Sequence, residues 1–116
     1  MSSVKRNSGK SVDAAAKYAA RALIVKAMAH PSRLLMLDAL EKGPLCVCEL
    51  RDLVGADIST ISKHLLVMKN AGLVDYERRG TQMIYRLKVP CVMKFFGCVE
   101  AVMKRTLQDQ LKVVGT

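Results

Sequence analysis

D-I-S-T-I-S-K-H-L-L-V-M-K-N-A-G, Asp57 to Gly72, is the stretch whose reading decides the fold. Ile58, Ile61, Leu65 and Met68 recur at i, i+3, i+7 and i+10, the spacing of a helical face turned toward a core. Asp57 stands where an N-cap belongs, its carboxylate ready to accept from free backbone N–H groups. Gly72 stands where a stop belongs, since it turns left-handed without a Cβ clash. The outer face carries Ser59, Thr60 and Lys63, with Ser62 and His64 at its edges, and no acid among them. A helix exposed only for solubility normally mixes Glu and Lys there. Hydroxyls and a lysine near a helix N-terminus are what a recognition helix offers to base edges and phosphates. The alternative, a plain polar surface helix, is decided by the neighbours.

The flanking segments supply them. Before Asp57 runs a short apolar-faced segment, about Cys46 to Val54, with Val47, Leu50, Leu53 and Val54 facing inward, and Gly55-Ala56 turns it into the reading helix. Two helices joined by a tight glycine turn, the second polar outside, make a helix-turn-helix unit. After Gly72 the period changes from helical to two, through Leu73 to Arg79. Gly80-Thr81 turns, and Met83 to Leu87 returns as a second strand. That predicts a β-hairpin wing with Arg78 and Arg79 at its tip, placed to touch a DNA backbone or minor groove rather than only to be solvated.

Further out, Val12 to about Met28 is an Ala-rich helix, with Ala16, Ala19, Ala20, Leu23, Ala27 and Met28 at helical spacing. Small side chains allow close approach of another helix, at a dimer seam or within the core. His30-Pro31 breaks the chain, with His30 in a structural role. Pro31 then opens a helix to about Lys42, amphipathic through Leu34, Leu35, Leu37 and Leu40. At the other end Pro90 opens a long helix to about Val113. Its stripe is Val92, Phe96, Val99, Met103, Leu107, Leu111 and Val114, widened by Phe95 and Val102. A stripe wider than a small domain needs is a dimer surface, and symmetric dimers suit two-fold DNA sites. The reading is thus a mainly α chain with a small β-hairpin wing: a homodimeric winged helix-turn-helix over residues 12–113, preceded by a disordered basic tail over 1–11.

Composition is consistent with this. The chain has 116 residues, enough for one domain, and a formal net charge of +9, which favours nucleic acid or an anionic surface as partner. No apolar run reaches the roughly 18 to 20 residues of a membrane span, and the basic N-terminus lacks the apolar stretch of a secretory signal. A cytoplasmic, reducing compartment is the expectation. Four cysteines there read as metal or redox thiols rather than structural disulfides.

The order of elements and five motifs together resemble the ArsR/SmtB family of metal-responsive winged-helix repressors. The motifs are A-H-P-S-R-L-L-M-L (29–37), L-C-V-C-E-L (45–50), S-T-I-S-K-H-L (59–65), K-N-A-G-L-V preceded by Met68 in place of leucine, and G-T-Q-M-I-Y-R-L (80–87). The resemblance spans about Ala20 to Met103. It implies a homodimer that binds a two-fold, double-stranded operator with no cofactor and releases it when an ion binds thiolates. The residues that the helix face and the hairpin tip offer to such an operator are Ser59, Thr60, Ser62, Lys63, His64, Arg78 and Arg79.

L-C-V-C-E-L is similar to the arsenite-sensing branch and its cadmium and lead relatives, in which the pair matching Cys46 and Cys48 supplies ligands. The third cysteine of the arsenite motif is Arg51 here, so a third sulfur would come from Cys91 or Cys98. Residues two apart on a helix do not face each other, so Cys46 and Cys48 chelate together only where the helix start is unwound. Cys91 and Cys98, about 10.5 Å apart along a helix, cannot share an ion unless Cys91 lies ahead of the helix or they belong to two protomers. One site of Cys46, Cys48 and a later cysteine, or separate sites, both remain open. Cys98, inside the apolar stripe, also reads as a small buried residue. The last helix has no histidine and only Glu100 and Asp109 as acids, which disfavours the zinc site that other members carry there. A soft ion is preferred: arsenite first, then antimonite, cadmium, lead or mercury. The alternative inducer is an oxidant or persulfide acting on a cysteine pair. A structural zinc protein would unfold on chelation, and a cysteine-nucleophile enzyme would need His30 or His64 as its base.

Overall fold

Pro31 is fixed for a first helical turn, and His30 before it is extended, φ −154°, as a residue preceding proline tends to be. The imidazole Nδ1 of His30 accepts from the Ser32 N–H at 3.1 Å, which makes His30 the N-cap of the helix. The computed structural model describes the backbone of residues 8–115 and the side chains of residues 13–112. Helix α1 (Ser8–Met28) leads into α2 (Pro31–Glu41), a short strand β1 (Leu45–Cys46), α3 (Val47–Val54), the reading helix α4 (Ile58–Asn70), strands β2 (Val74–Arg79) and β3 (Gln82–Leu87), a 3₁₀ turn over Pro90–Val92, and α5 (Met93–Gly115). The predicted mainly helical fold with a wing is the observed one.

The two glycines on either side of the reading helix are both left-handed. Gly55, φ +78°, closes α3 by donating to the Arg51 carbonyl at 2.8 Å. Gly72, φ +84°, donates to Lys69 O, and Leu73 donates to Met68 O at 2.9 Å, the paired bonds that close a helix behind a left-handed residue. The wing has one strand more than the hairpin expected. Leu45 and Cys46 pair antiparallel with Tyr85 and Ile84, giving the strand order β1-β3-β2. Two residues are too short a run to show alternation, so β1 left no periodic signal.

The core is built from Met36, Leu37 and Leu40 of α2, Leu50 of α3, Ile61, Leu65 and Met68 of α4, and Val74 and Tyr85 of the wing. Several expected faces are rotated. Ile58, the first residue of α4, is 45% exposed, and the fourth inward position is taken by His64 at 8%. Leu34 and Leu35 face outward while Met36 is fully buried, and Leu53 is exposed. The first helix starts at Ser8, so residues 8–11, expected in the tail, are helical; residues 1–7 lie outside those described. Pro90 opens a 3₁₀ turn rather than the last helix itself, which places Cys91 ahead of α5.

Two long helices stand away from this core. On α1 only Ala27 and Met28 are buried among the described side chains, and Leu23 is exposed. Among the described side chains of α5 only Met93 is buried, while Phe95, Val99, Val102, Met103, Leu107 and Leu111 are exposed. The radius of gyration, 18.9 Å, is well above the roughly 13 Å of a compact domain this long.

The rotated face of α4 gives the first prediction. Ile61→Ala should cost about 2–5 kcal/mol in urea unfolding and Ile58→Ala less than about 1 kcal/mol. Equal losses would contradict the observed orientation.

Candidate nucleic-acid interface and thiol sites

The outward surface of α4 begins at its cap. Asp57 is extended, and its Oδ1 accepts from the Thr60 N–H at 2.9 Å and from the Ser59 hydroxyl at 3.3 Å. The Thr60 side chain and then its N–H, with smaller help from Ser59 and Lys63, hold the Asp57 carboxyl below its ordinary range. Ser59, Thr60, Ser62 and Lys63 are all exposed along one side of the helix. They form a polar strip ending in a cation, free of any acid beyond the cap itself.

His64 does not belong to that strip. Its imidazole is buried, and Nδ1 accepts from Arg33 Nε at 3.0 Å. A buried polar ring needs such a partner. It packs inward because it sits three residues after Ile61 and beside Leu65.

The wing arginines divide as well. Successive residues of a strand point to opposite faces, so Arg78 and Arg79 address opposite sides of the ribbon. Arg79 donates from Nε to Glu77 Oε1 at 2.6 Å, on its own face. Arg78 shares its face with Tyr76, whose ring lies 5.3 Å from the Tyr85 ring and 5.3 Å from Lys69 Nζ at the end of α4. These contacts tie the wing to the reading helix.

The cysteines fall in three different settings. Cys46 is buried, closes β1 and caps α3: its Sγ accepts from the Glu49 N–H at 3.4 Å. The Glu49 carboxylate returns the bond, accepting from the Cys46 N–H at 3.1 Å. This is a capping box with sulfur in the place usually held by a serine or threonine hydroxyl. The bond from the Cys46 backbone, then that to its side chain, lowers the Glu49 pKa. The spacing C-x-x-E over 46–49 is visible in the sequence, but cysteine is not among the residues usually found at an N-cap. Cys48 is exposed in the first turn of α3, Cys91 is exposed in the 3₁₀ turn, and Cys98 is exposed on α5 rather than buried in a stripe. Among the described residues no three of His, Cys, Asp and Glu gather at one point. A site of Cys46, Cys48 and a later cysteine is therefore not assembled within a single chain in this conformation. His30 and His64 bond to Ser32 and Arg33, not to a cysteine.

Residues 30–76, from the cap of α2 to the start of the wing, match the family described as "Bacterial regulatory protein, arsR family". The chain is 33% identical to the HTH-type transcriptional regulator Rv0081 of Mycobacterium tuberculosis, over 84% of this chain and 86% of that protein. This chain belongs to the arsR family. It is a transcriptional regulator with a winged helix-turn-helix fold, not an enzyme. The crystal structure of Rv0081 superposes with a TM-score of 0.72, over 81% of this chain and 95% of that one. The solution structure of the homodimeric winged helix-turn-helix DNA-binding domain of Mb0332 from Mycobacterium bovis is 33% identical, with a TM-score of 0.71 over 82% and 88% of the two chains. The transcriptional repressor BigR of Xylella fastidiosa is 27% identical, with a TM-score of 0.67 over 78% and 92%.

The cap has a pH signature. A lowered carboxyl pKa contributes stability that is present above the ordinary glutamate value of about 4.3 and lost as pH falls below it. Thermal unfolding should therefore show an acid-dependent loss below about pH 4.5 that is reduced in Glu49→Gln. Identical profiles in the two proteins would contradict a working capping box.

Proposed function

We propose that this chain is a homodimeric repressor that reads a two-fold DNA operator through α4 and releases it when a soft metalloid, arsenite foremost, is bound by cysteine thiolates. Ser59, Thr60, Ser62 and Lys63 would contact bases and phosphates in the major groove. Arg78, on the face of the wing away from the Glu77–Arg79 pair, would be the stronger backbone contact of the two tip arginines. The apolar faces of α1 and α5 that their own chain leaves uncovered are the surfaces a second copy would bury. Mb0332, of the same fold, is described as homodimeric.

The observation that carries the inducer reading is the sulfur cap. Cys46 Sγ is already used as the acceptor that starts α3, and α3 packs on α4 through Leu50. Cys46 and Cys48 would hold the ion, and Cys91 or Cys98, from either protomer, would complete a three-sulfur set. Thiolates suit such an ion because both partners are soft. Engaging the Cys46 sulfur removes the Glu49 N–H bond and frees the first turn of α3, so that Cys48 can swing toward it. A disturbed α3 no longer backs the reading helix. Cys46 also pairs with Ile84, so the same event reaches the wing.

Cys46→Ser keeps an oxygen cap, which helices accept as well or better. It should fold and bind DNA, yet need more than about ten-fold more arsenite for release. Release of Cys46→Ser at the wild-type arsenite concentration would contradict the reading. Release of the wild type by oxidant or polysulfide but not by arsenite would favour the cysteine-pair alternative instead. Lys63→Ala should weaken binding and lower the log K against log salt slope by about 0.9; an unchanged slope would place Lys63 away from phosphate.

A further inference from the structure

One cluster is used neither by the DNA-facing strip nor by the thiols. Three helices meet at the His64–Arg33–His30 group. Arg33, on α2, donates through Nε to His64 Nδ1 of α4 at 3.0 Å and through Nη1 to the Ala27 carbonyl of α1 at 3.3 Å. The His30 ring lies 4.4 Å from the His64 ring, tilted by 50°. His64 is the one buried polar side chain among the described residues.

We propose that Arg33 and His64 are positioning residues for DNA reading: the guanidinium pins the rotation of α4 against α1 and α2, and the pin holds only while His64 is neutral. The proposal rests on α4 being the DNA-reading helix. The chemistry is one-sided. Arginine never deprotonates in a protein, so it always presents N–H donors. His64 Nδ1 accepts from it and must carry a lone pair, which leaves the proton on Nε2. A proton added at Nδ1 sets donor against donor beside a fixed positive charge. The His30 Nδ1, for its part, accepts from the Ser32 N–H.

The groups facing His64 are His30 from the α1–α2 junction and Arg33 from α2; among the described residues α3, the wing and α1 present no acid that offsets them. Burial first, then His30 and Arg33, push the His64 pKa down, in agreement with this geometry. The sign follows. The pin is complete above the ordinary histidine value of about 6.5 and is lost as pH falls through the lowered His64 value. Lys63, the neighbouring residue, then no longer points where the intact pin holds it.

The test uses a duplex enriched by the full-length wild-type protein from a random-sequence DNA library, with binding measured from about pH 7.5 to about pH 5.5. Asn places an uncharged acceptor near the position of Nδ1, and Leu removes the acceptor. His64→Asn should bind within about three-fold of wild type at the upper pH and change little on acidification, whereas wild type should lose about ten-fold. His64→Leu, checked for native circular dichroism, should bind about ten-fold more weakly at every pH. Parallel pH profiles for wild type and His64→Asn, or full-strength binding by His64→Leu, would overturn the inference and leave DNA reading by α4 intact. Should His64→Leu fail to fold, the wild-type and His64→Asn comparison alone decides. Failure of the wild-type protein to enrich any duplex would overturn DNA reading and this inference together.

Discussion

Two reciprocal hydrogen bonds fix where α3 begins: the Glu49 N–H donates to Cys46 Sγ, and the Cys46 N–H donates to the Glu49 carboxylate. Much of the structure is downstream of that point. Leu50, fully buried one residue after Glu49, anchors α3 into the same core as Ile61 and Leu65 of the reading helix. The strand ahead of the cap pairs with β3, so the wing is attached to the same residue. Sulfur is a weak acceptor compared with a hydroxyl. A cap made with it holds the helix start but is surrendered readily to a stronger bond. This softness is what the proposed inducer mechanism exploits.

The reading helix is held from behind by two kinds of contact. Ile61, Leu65 and Met68 supply apolar burial, which is strong but tolerates some rolling. His64 adds a directional bond to Arg33, which does not. At its end the helix is closed behind Gly72, and Lys69 reaches the Tyr76 ring of the wing. The strip of Ser59, Thr60, Ser62 and Lys63 therefore stands on a support fixed by α2, α3 and the wing. The long helices α1 and α5 contribute little to that support within one chain. Their apolar faces are those of a molecule that completes its burial with a second copy, on the reading proposed above.

Local chemistry was the most legible part of the sequence. The Asp57 cap, the Gly55 and Gly72 stops, Pro31 and the period change into the wing each leave a short-range mark, and each reappears in the fold. The orientation of α4 was only partly legible. An apolar count preferred Ile58 over His64, because periodicity cannot see that Arg33, 31 residues earlier, waits to satisfy the imidazole. Leu34, Leu35 and Leu53 are exposed for a related reason, since hydrophobicity alone does not say which side of a short helix the core will take. The thiol site was half legible. L-C-V-C-E-L marks Cys46 and Cys48, but the spacing of Cys46 and Glu49 carries no cap signal of its own, because cysteine is not an expected cap residue. Cys91 and Cys98 sit apart and exposed, which the sequence left open.

Amide hydrogen exchange at Glu49 tests the central linkage most directly. In the reduced protein on DNA, the Glu49 N–H should be protected by the Cys46 sulfur. Stoichiometric arsenite should abolish that protection first, with faster exchange then spreading through α3 into the start of α4 as the duplex is released. Release of DNA with Glu49 still fully protected would contradict the account.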